Sequence, residues 1–140
     1  MKKVIMVLFL GLFALNAQAQ SLNNTKYVEI KGVYDFQTAF NQYRLNSFLK
    51  FQLEQAGFQV YYDNQDVPAE VQSDPCKALK CIVTRDKSML STKLNIQLIN
   101  CKGNVVFTTD GESRLKNHNK SHVDAIKDAL EHTTIKKMQE

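Results

Sequence analysis

Residues 41–62 have the sequence NQYRLNSFLKFQLEQAGFQVYY, in which a helical pattern runs directly into a strand pattern. Asn41 is a suitable N-cap and Gly57 stands where a helix can end in a left-handed residue, so the two bound a predicted helix over 42–56. Its apolar residues recur at spacings of three and four: Leu45, Phe48, Leu49, Leu53 and Ala56. A single apolar stripe must be covered, and the segment therefore predicts a helix packed on a sheet.

The flanking segments extend this unit into a complete domain. Residues 26–34 alternate between polar and apolar side chains and predict a first strand, and 58–62 predict a second. A polar connection, 63–75, contains both prolines. Beyond it we predict a short helix at 75–80 behind an Asp74 cap, strands at 81–85, 92–101 and 105–110, and a closing helix. The expected fold class is α/β, an α+β two-layer domain: a mixed sheet of about five strands in the order β-α-β-short α-β-β-β-α, with two main helices on one face.

The last two strands are predicted to form a hairpin. Its turn contains Gly103, which can adopt a positive φ angle. The expected register places Leu98 opposite Phe107 and Ile99 opposite Val106, so that apolar side chains meet across the strands.

The closing helix is predicted to start at Ser121, with Asp124 completing a pair that resembles a capping box. Its apolar stripe comprises Val123, Ile126, Ala129, Leu130 and Thr133. This spacing predicts a second amphipathic helix.

The first nineteen residues have the three parts of an export signal. Lys2 and Lys3 precede an apolar run, 4–15, and Ala17 and Ala19 form the small-x-small pattern that signal peptidase recognises. The run is shorter than the roughly 20 apolar residues that cross a membrane. No cysteine follows it, so no lipid anchor is expected. We predict cleavage after Ala19 and export to the periplasm or the extracellular space.

Cleavage after Ala19 changes the net charge, which is one of the properties that indicate a class of function. The 140-residue chain is 44% apolar and 23% charged, which fits one globular domain. Loss of two lysines with the signal lowers the formal net charge from +4 to +2. So small a charge argues against a nucleic-acid binder. We expect a flexible mature N-terminus, 20–26, and a single domain, 27–137.

Three cysteines remain after cleavage, in a compartment where paired thiols tend to be oxidised. Cys76 and Cys81 flank the predicted short helix, and five helical positions separate their Cα atoms by about 8–9 Å, beyond disulfide reach. We predict that Cys76 pairs with Cys101 and that Cys81 is a buried free thiol. A bridge between Cys81 and Cys101 is the alternative.

Candidate binding chemistry is confined to a basic segment near the last helix. It comprises Arg114, Lys116, His118, Lys120 and His122. Because the N-terminus of a helix attracts anions, the segment is a candidate phosphate or carboxylate site. With the helix starting at Ser121, His118 lies outside it, which removes the i,i+4 geometry of two metal-ligating histidines. We predict no metal site, no cofactor and no catalytic residue.

Several short elements, in this order, resemble those of a family of small exported proteins of Bacteroidota-type bacteria. They are Asn41-Gln42-Tyr43-Arg44-Leu45-Asn46, Gly57-Phe58, Pro75-Cys76, Thr92-Lys93, Cys101-Lys102-Gly103 and Ser113-Arg114. The resemblance implies an exported one-domain protein and no particular reaction. The cysteine-containing elements fall on Cys76 and Cys101, in agreement with the predicted bridge, whereas Cys81 matches none. The element order is also similar to the N-terminal domain of TolB and to LptE, an analogy of fold that carries no function.

The sequence therefore predicts a non-enzymatic binding or structural domain of the cell envelope. Its expected partner is an envelope protein or glycan, and it is expected neither to span a membrane nor to carry a lipid anchor. The alternative is an envelope hydrolase, or an anion-binding protein, that uses the basic segment at 114–122.

Overall fold

Strands and helices follow one another in the predicted order. The computed structural model describes residues 25–87, 90–131 and 133. Within them the elements are β1 (Tyr27–Ile30), α1 (Leu45–Gln55), β2 (Gln59–Tyr62), α2 (Ala69–Ser73), β3 (Ala78–Arg85), β4 (Thr92–Ile99), β5 (Val105–Ser113) and α3 (His118–Glu131), with short 3-10 turns at Gln42–Arg44 and Pro75–Lys77. The predicted signal peptide, 1–19, and most of the predicted flexible N-terminus, 20–26, lie outside the described residues.

The five strands form one mixed sheet in the order β2-β1-β3-β4-β5. Strand β1 runs parallel to both of its neighbours, β2 and β3, whereas the β3–β4 and β4–β5 pairs are antiparallel. The predicted fold class is confirmed. A helical connection precedes each parallel partner of β1, as a crossover between parallel strands requires.

The main core lies between one face of the sheet and the helices α1 and α3. Every second residue of the central strands points into it, as the two-residue period of a strand dictates. The fully buried members from the strands and helices include Val28, Ile30, Leu49, Leu53, Leu79, Ile96, Leu98 and Ile126. The opposite face carries a small second cluster under α2, formed by Tyr27, Tyr61, Val71 and Ala78. The prediction of an irregular connection over 63–75 is wrong for Ala69–Ser73, which form α2.

Helix α1 begins at Leu45, three residues later than predicted. Asn41, Tyr43 and Arg44 all have left-handed backbone conformations, with φ angles of 54°, 65° and 58°, which no α-helix can contain. The N-cap of α1 is therefore Arg44 and not the predicted Asn41, although Asn41 Oδ1 still accepts a hydrogen bond of 2.8 Å from the backbone N–H of Ser47 in the first turn. The predicted C-terminal cap at Gly57 is confirmed by its φ of 105°.

A buried pair of amide side chains fixes the chain that enters α1. Asn46 is fully buried, and its Nδ2 donates to the carbonyl oxygen of Lys31 at 2.6 Å. Its Oδ1 accepts from Gln37 Nε2 at 2.7 Å, while Gln37 Oε1 accepts from the N–H of Tyr34 at 2.8 Å. Because buried polar groups must be satisfied, this network holds the loop between β1 and α1 in one conformation.

The predicted hairpin is confirmed except at its end. Leu98 lies opposite Phe107 as expected, but Ile99 pairs with Val105 and not with Val106, because the register shifts by one residue between Leu98 and Ile99. This bulge adds a residue on β5. Gly103 has a φ of 83°, as the turn requires.

The predicted disulfide between Cys76 and Cys101 is present, with Cα atoms 5.0 Å apart. Asp74 Oδ1 accepts from the N–H of Cys76 at 3.1 Å, so the predicted cap is also correct. The short helix ends at Lys77 and not at Lys80, because β3 begins at Ala78 to pair with β1. Cys81 therefore lies inside β3 as a buried free thiol.

Candidate functional site

A cleft of about 870 Å³ opens at the end of the sheet where β3 ends, β4 begins and α3 starts. Its charged lining residues are Asp35, Arg85, Asp86, Lys87, Arg114 and Lys116. Four cations thus face two carboxylates, and the side chain of Arg114 is 87% exposed. The excess of positive charge makes this cleft attractive to an anion.

The rings of Phe36 and His122 line the cleft as its floor and belong to a stack that includes Tyr43, which does not itself line the cleft. The imidazole lies between Tyr43 and Phe36, with ring centroids 3.8 Å and 6.1 Å away and planes within 12° and 18° of its own. The guanidinium of Arg85 lies over Phe36, 5.1 Å from the ring centroid. Such a cation–π contact orients Arg85 along the floor. The left-handed conformation of Tyr43 places its ring against His122.

His122 is only 1% exposed, and both of its ring nitrogens are occupied. Its Nδ1 lies 2.6 Å from the carbonyl oxygen of His118, which can only accept, so Nδ1 carries the proton. Nε2 is then the acceptor for Arg85 Nη1 at 3.2 Å. Burial lowers the pKa of His122 from its usual range, and the adjacent Arg85 cation lowers it further. The imidazole is therefore held neutral as a structural link between β3 and α3.

Ser121 is buried beside His122 but is not poised as a nucleophile. Thr92 Oγ1 donates to Ser121 Oγ at 2.9 Å, and Ser121 Oγ donates to the carbonyl oxygen of His118 at 3.2 Å. With its hydroxyl proton directed to a backbone oxygen, Ser121 ties α3 to the start of β4. The serine and the histidine thus support the cleft wall.

We expect the neutral state of His122 to make the protein sensitive to acid. The folded-state pKa lies below the unfolded value of about 6.5, so the unfolded chain binds the extra proton first as the pH falls. Stability from this group is complete above pH ~6.5 and declines below it, by at most about 1.4 kcal/mol per pH unit. Urea unfolding at several pH values between 7.5 and 5 measures this slope.

The control for this pH dependence lies on the same helix. His118→Gln changes an exposed side chain and should retain the acid sensitivity, whereas His122→Gln should flatten the slope between pH 6.5 and 5. Equal slopes in the wild-type protein and His122→Gln would show that another group governs the effect.

The five residues of the predicted anion-binding segment are divided between two places. Arg114, Lys116, His118 and His122 line the cleft, with His122 beneath its surface, whereas Lys120 lines a neighbouring groove. Whether the segment binds an anion stays a prediction.

The predicted start of the closing helix at Ser121 is wrong. Helix α3 begins at His118, because Asn117 acts as the cap: its Oδ1 accepts from the N–H of Lys120 at 3.1 Å. His118 and His122 therefore lie one turn apart within the helix, with ring centroids separated by 6.3 Å. The buried face also differs from the predicted stripe, since it consists of Ser121, His122, Ala125, Ile126 and Ala129.

Sequence reasoning overlooked Phe36, Arg85 and Lys87, which complete the cleft. Arg85 is 37 positions from His122, and no local pattern brings the two together. Arg85 is the last residue of an apolar strand and is followed by two charged residues, Asp86 and Lys87. Charged residues where a strand ends are a weak sequence signal for a binding site, and this signal points to Arg85.

Other reactive groups in the described part of the chain offer no second site. No group of three or more His, Cys, Asp or Glu side chains there could hold a metal ion. Burial raises the pKa of the Cys81 thiol to about 12, which keeps it protonated and unreactive. The described helices include none that is long and apolar enough to cross a membrane.

No protein-family model and no curated protein sequence matches this chain. Among solved structures, the chain is similar to a PelC dodecamer from Paraburkholderia phytofirmans, with 14% identity over 79% of this chain and 88% of that chain and a TM-score of 0.49. A single-substitution variant of that PelC dodecamer gives 16% identity over 76% of this chain and 87% of that chain, also with a TM-score of 0.49.

Proposed function

We propose that this chain is an exported, non-enzymatic domain of the cell envelope whose basic cleft binds a negatively charged envelope component. One observation carries the proposal: Arg85, Lys87, Arg114 and Lys116 converge around a cleft with an aromatic floor. The floor is rigid because the rings are stacked and His122 is hydrogen-bonded on both sides. A preformed cationic cleft binds an anion without a large ordering cost.

The disulfide supports the exported location. Cys76 and Cys101 are both exposed, so their bond would be open to reduction in a cytosol. Disulfides of this kind persist in the periplasm and outside the cell. The predicted signal peptide and the resemblance to small exported proteins point the same way.

The hydrogen bonding in the cleft wall favours binding over hydrolysis. A general base needs a free lone pair within reach of the substrate, and the Nε2 lone pair of His122 is directed at Arg85. Ser121 likewise gives its proton to the carbonyl oxygen of His118. Both side chains hold Arg85 and α3 in place, which suits a site that recognises charge.

Reversing two cleft charges is expected to weaken anion binding by at least tenfold. In Arg114→Glu/Lys116→Glu, both cations become carboxylates at the cleft mouth, and repulsion replaces attraction. The probe is inorganic phosphate at low ionic strength, followed by amide chemical shifts in NMR spectra. In the wild-type protein we expect shifts confined to the cleft, and a loss of affinity as salt is raised.

The matched control is Lys80→Glu/Lys102→Glu, which makes the same change of net charge at exposed positions away from the cleft. It should bind phosphate as the wild-type protein does, apart from a small effect of net charge. Equal losses in the two double variants would indicate non-specific attraction and contradict a cleft site.

A further inference from the structure

A second cavity, of about 820 Å³, lies between α1 and α3 on the outer side of the helical layer. Its apolar lining consists of Phe48, Phe51, Leu115 and Val123. Phe51 is 54% exposed and Leu115 51% exposed, which is unusual for side chains of this size. We call this cavity the helix groove.

The rim of the helix groove is positively charged. Arg44, Lys120 and Lys127 line it together with a single carboxylate, that of Asp124. Lys127 also lies 3.8 Å from Glu131, an exposed pair that contributes little. The groove thus combines an apolar floor with cationic edges.

Leu115 joins the helix groove to the basic cleft, since it lines both cavities. On one side of it Arg114 and Lys116 face the cleft, and on the other Asn117 and Lys120 face the groove. A ligand that crosses Leu115 can therefore occupy the two cavities at once.

We infer that the ligand is an anionic amphiphile, with its charged head in the basic cleft and its apolar chain in the helix groove. The inference rests on the function proposed above and names the class of ligand. The cleft offers cations to the head, the groove offers Phe51 and Phe48 to the chain, and the rim cations suit a molecule that is negative and not neutral.

Charge argues against the other candidate occupants of the groove. A second copy of this chain would bring two positively charged rims together. After cleavage, residues 20–24 carry no charged side chain, and in 132–140 Lys136 and Lys137 outnumber Glu140, so neither terminal segment offers the cationic rim a net negative charge.

The experiment compares three soluble probes by titration calorimetry: dodecyl phosphate below its micelle concentration, inorganic phosphate, and dodecyl maltoside, which has the same chain but no charge. Each buried methylene strengthens binding about threefold to fourfold. We therefore expect dodecyl phosphate to bind at least 100-fold more tightly than either of the other probes.

Substitutions test where the chain lies. Phe51→Ser should weaken dodecyl phosphate binding at least tenfold and leave phosphate binding unchanged, because Phe51 lines the helix groove and not the basic cleft. Leu115→Ser, at the junction of the two cavities, should also weaken dodecyl phosphate binding at least tenfold. Val105→Ser removes an apolar side chain of similar exposure, 50%, from the distant hairpin and should have no effect. Circular dichroism spectra establish that the variants are folded.

Four results would overturn the inference. If phosphate and dodecyl phosphate bind equally, the apolar chain contributes nothing, although the proposed function stands. If dodecyl maltoside binds as tightly as dodecyl phosphate, the groove is a neutral apolar site. If vesicles of anionic lipid bind and monomeric dodecyl phosphate does not, the surface recognises a membrane. Failure of both phosphate and dodecyl phosphate would contradict the proposed function as well.

Discussion

Gly111→Ala is expected to lower the free energy of unfolding by about 3–5 kcal/mol, or to prevent folding. Gly111 lies in β5 directly beneath α3, where the helix approaches the strand closely. A Cβ atom at this position would overlap the carbonyl oxygen of Ala125 and would lie 2.6 Å from the backbone nitrogen of Ala129. Because both are backbone atoms, the whole of α3 would have to move. Urea unfolding followed by circular dichroism measures the loss.

Gly32→Ala is the matched control, since it adds the same methyl group at another crowded glycine. Its Cβ would lie 2.6 Å from the ring of Phe40, a flexible side chain that is 53% exposed and can turn away. We expect a change within about 1 kcal/mol. Similar losses for the two variants would mean that α3 does not approach β5 as closely as described.

Removing the disulfide is expected to cost about 3.5 kcal/mol. Cys76 and Cys101 are 25 positions apart, and closing a loop of this length restricts the unfolded chain by that amount in the loop-entropy treatment. The double variant Cys76→Ala/Cys101→Ala should unfold at lower urea and should no longer respond to a reductant. The wild-type protein should lose about the same free energy when dithiothreitol is added.

Cys81→Ala distinguishes this bridge from the alternative pairing of Cys81 with Cys101. The substitution removes a buried sulfur and should cost about 1–2 kcal/mol through the cavity that it leaves. The variant should still respond to reductant as the wild-type protein does. Loss of that response in Cys81→Ala would assign the bridge to Cys81.

Much of the fold follows from periodicity in the sequence. The stripe that includes Leu45, Leu49 and Leu53 predicts α1 on a sheet, alternation over 26–34 predicts β1, and the other four strands are also predicted from the sequence. The element ends are less predictable, because they depend on tertiary contacts. Tyr43 and Arg44 delay α1 by taking left-handed conformations, and such conformations are rare for residues of their type.

The candidate site was only partly predictable. The basic residues at 114–122 are visible in sequence because they occupy every second position of one short segment. The roles of Arg85 and Phe36 depend on how β3 and the loop after β1 meet α3. His122 resembles a surface cation in the sequence, but the register of α3 turns it into the core. An unrecognised cap at Asn117 accounts for that error.

The most direct test of the central claim is the native mass of the protein released from its own cell envelope. The claim is that an exported, disulfide-linked domain holds an anionic ligand. We predict the mass of residues 20–140 less two hydrogens, plus the mass of a non-covalently bound ligand. The variant Arg114→Glu/Lys116→Glu should have lost this ligand. Any of three results would contradict the claim: a chain that begins at Met1, three thiols that are alkylated without prior reduction, or the same bound ligand mass in the wild-type protein and the double variant.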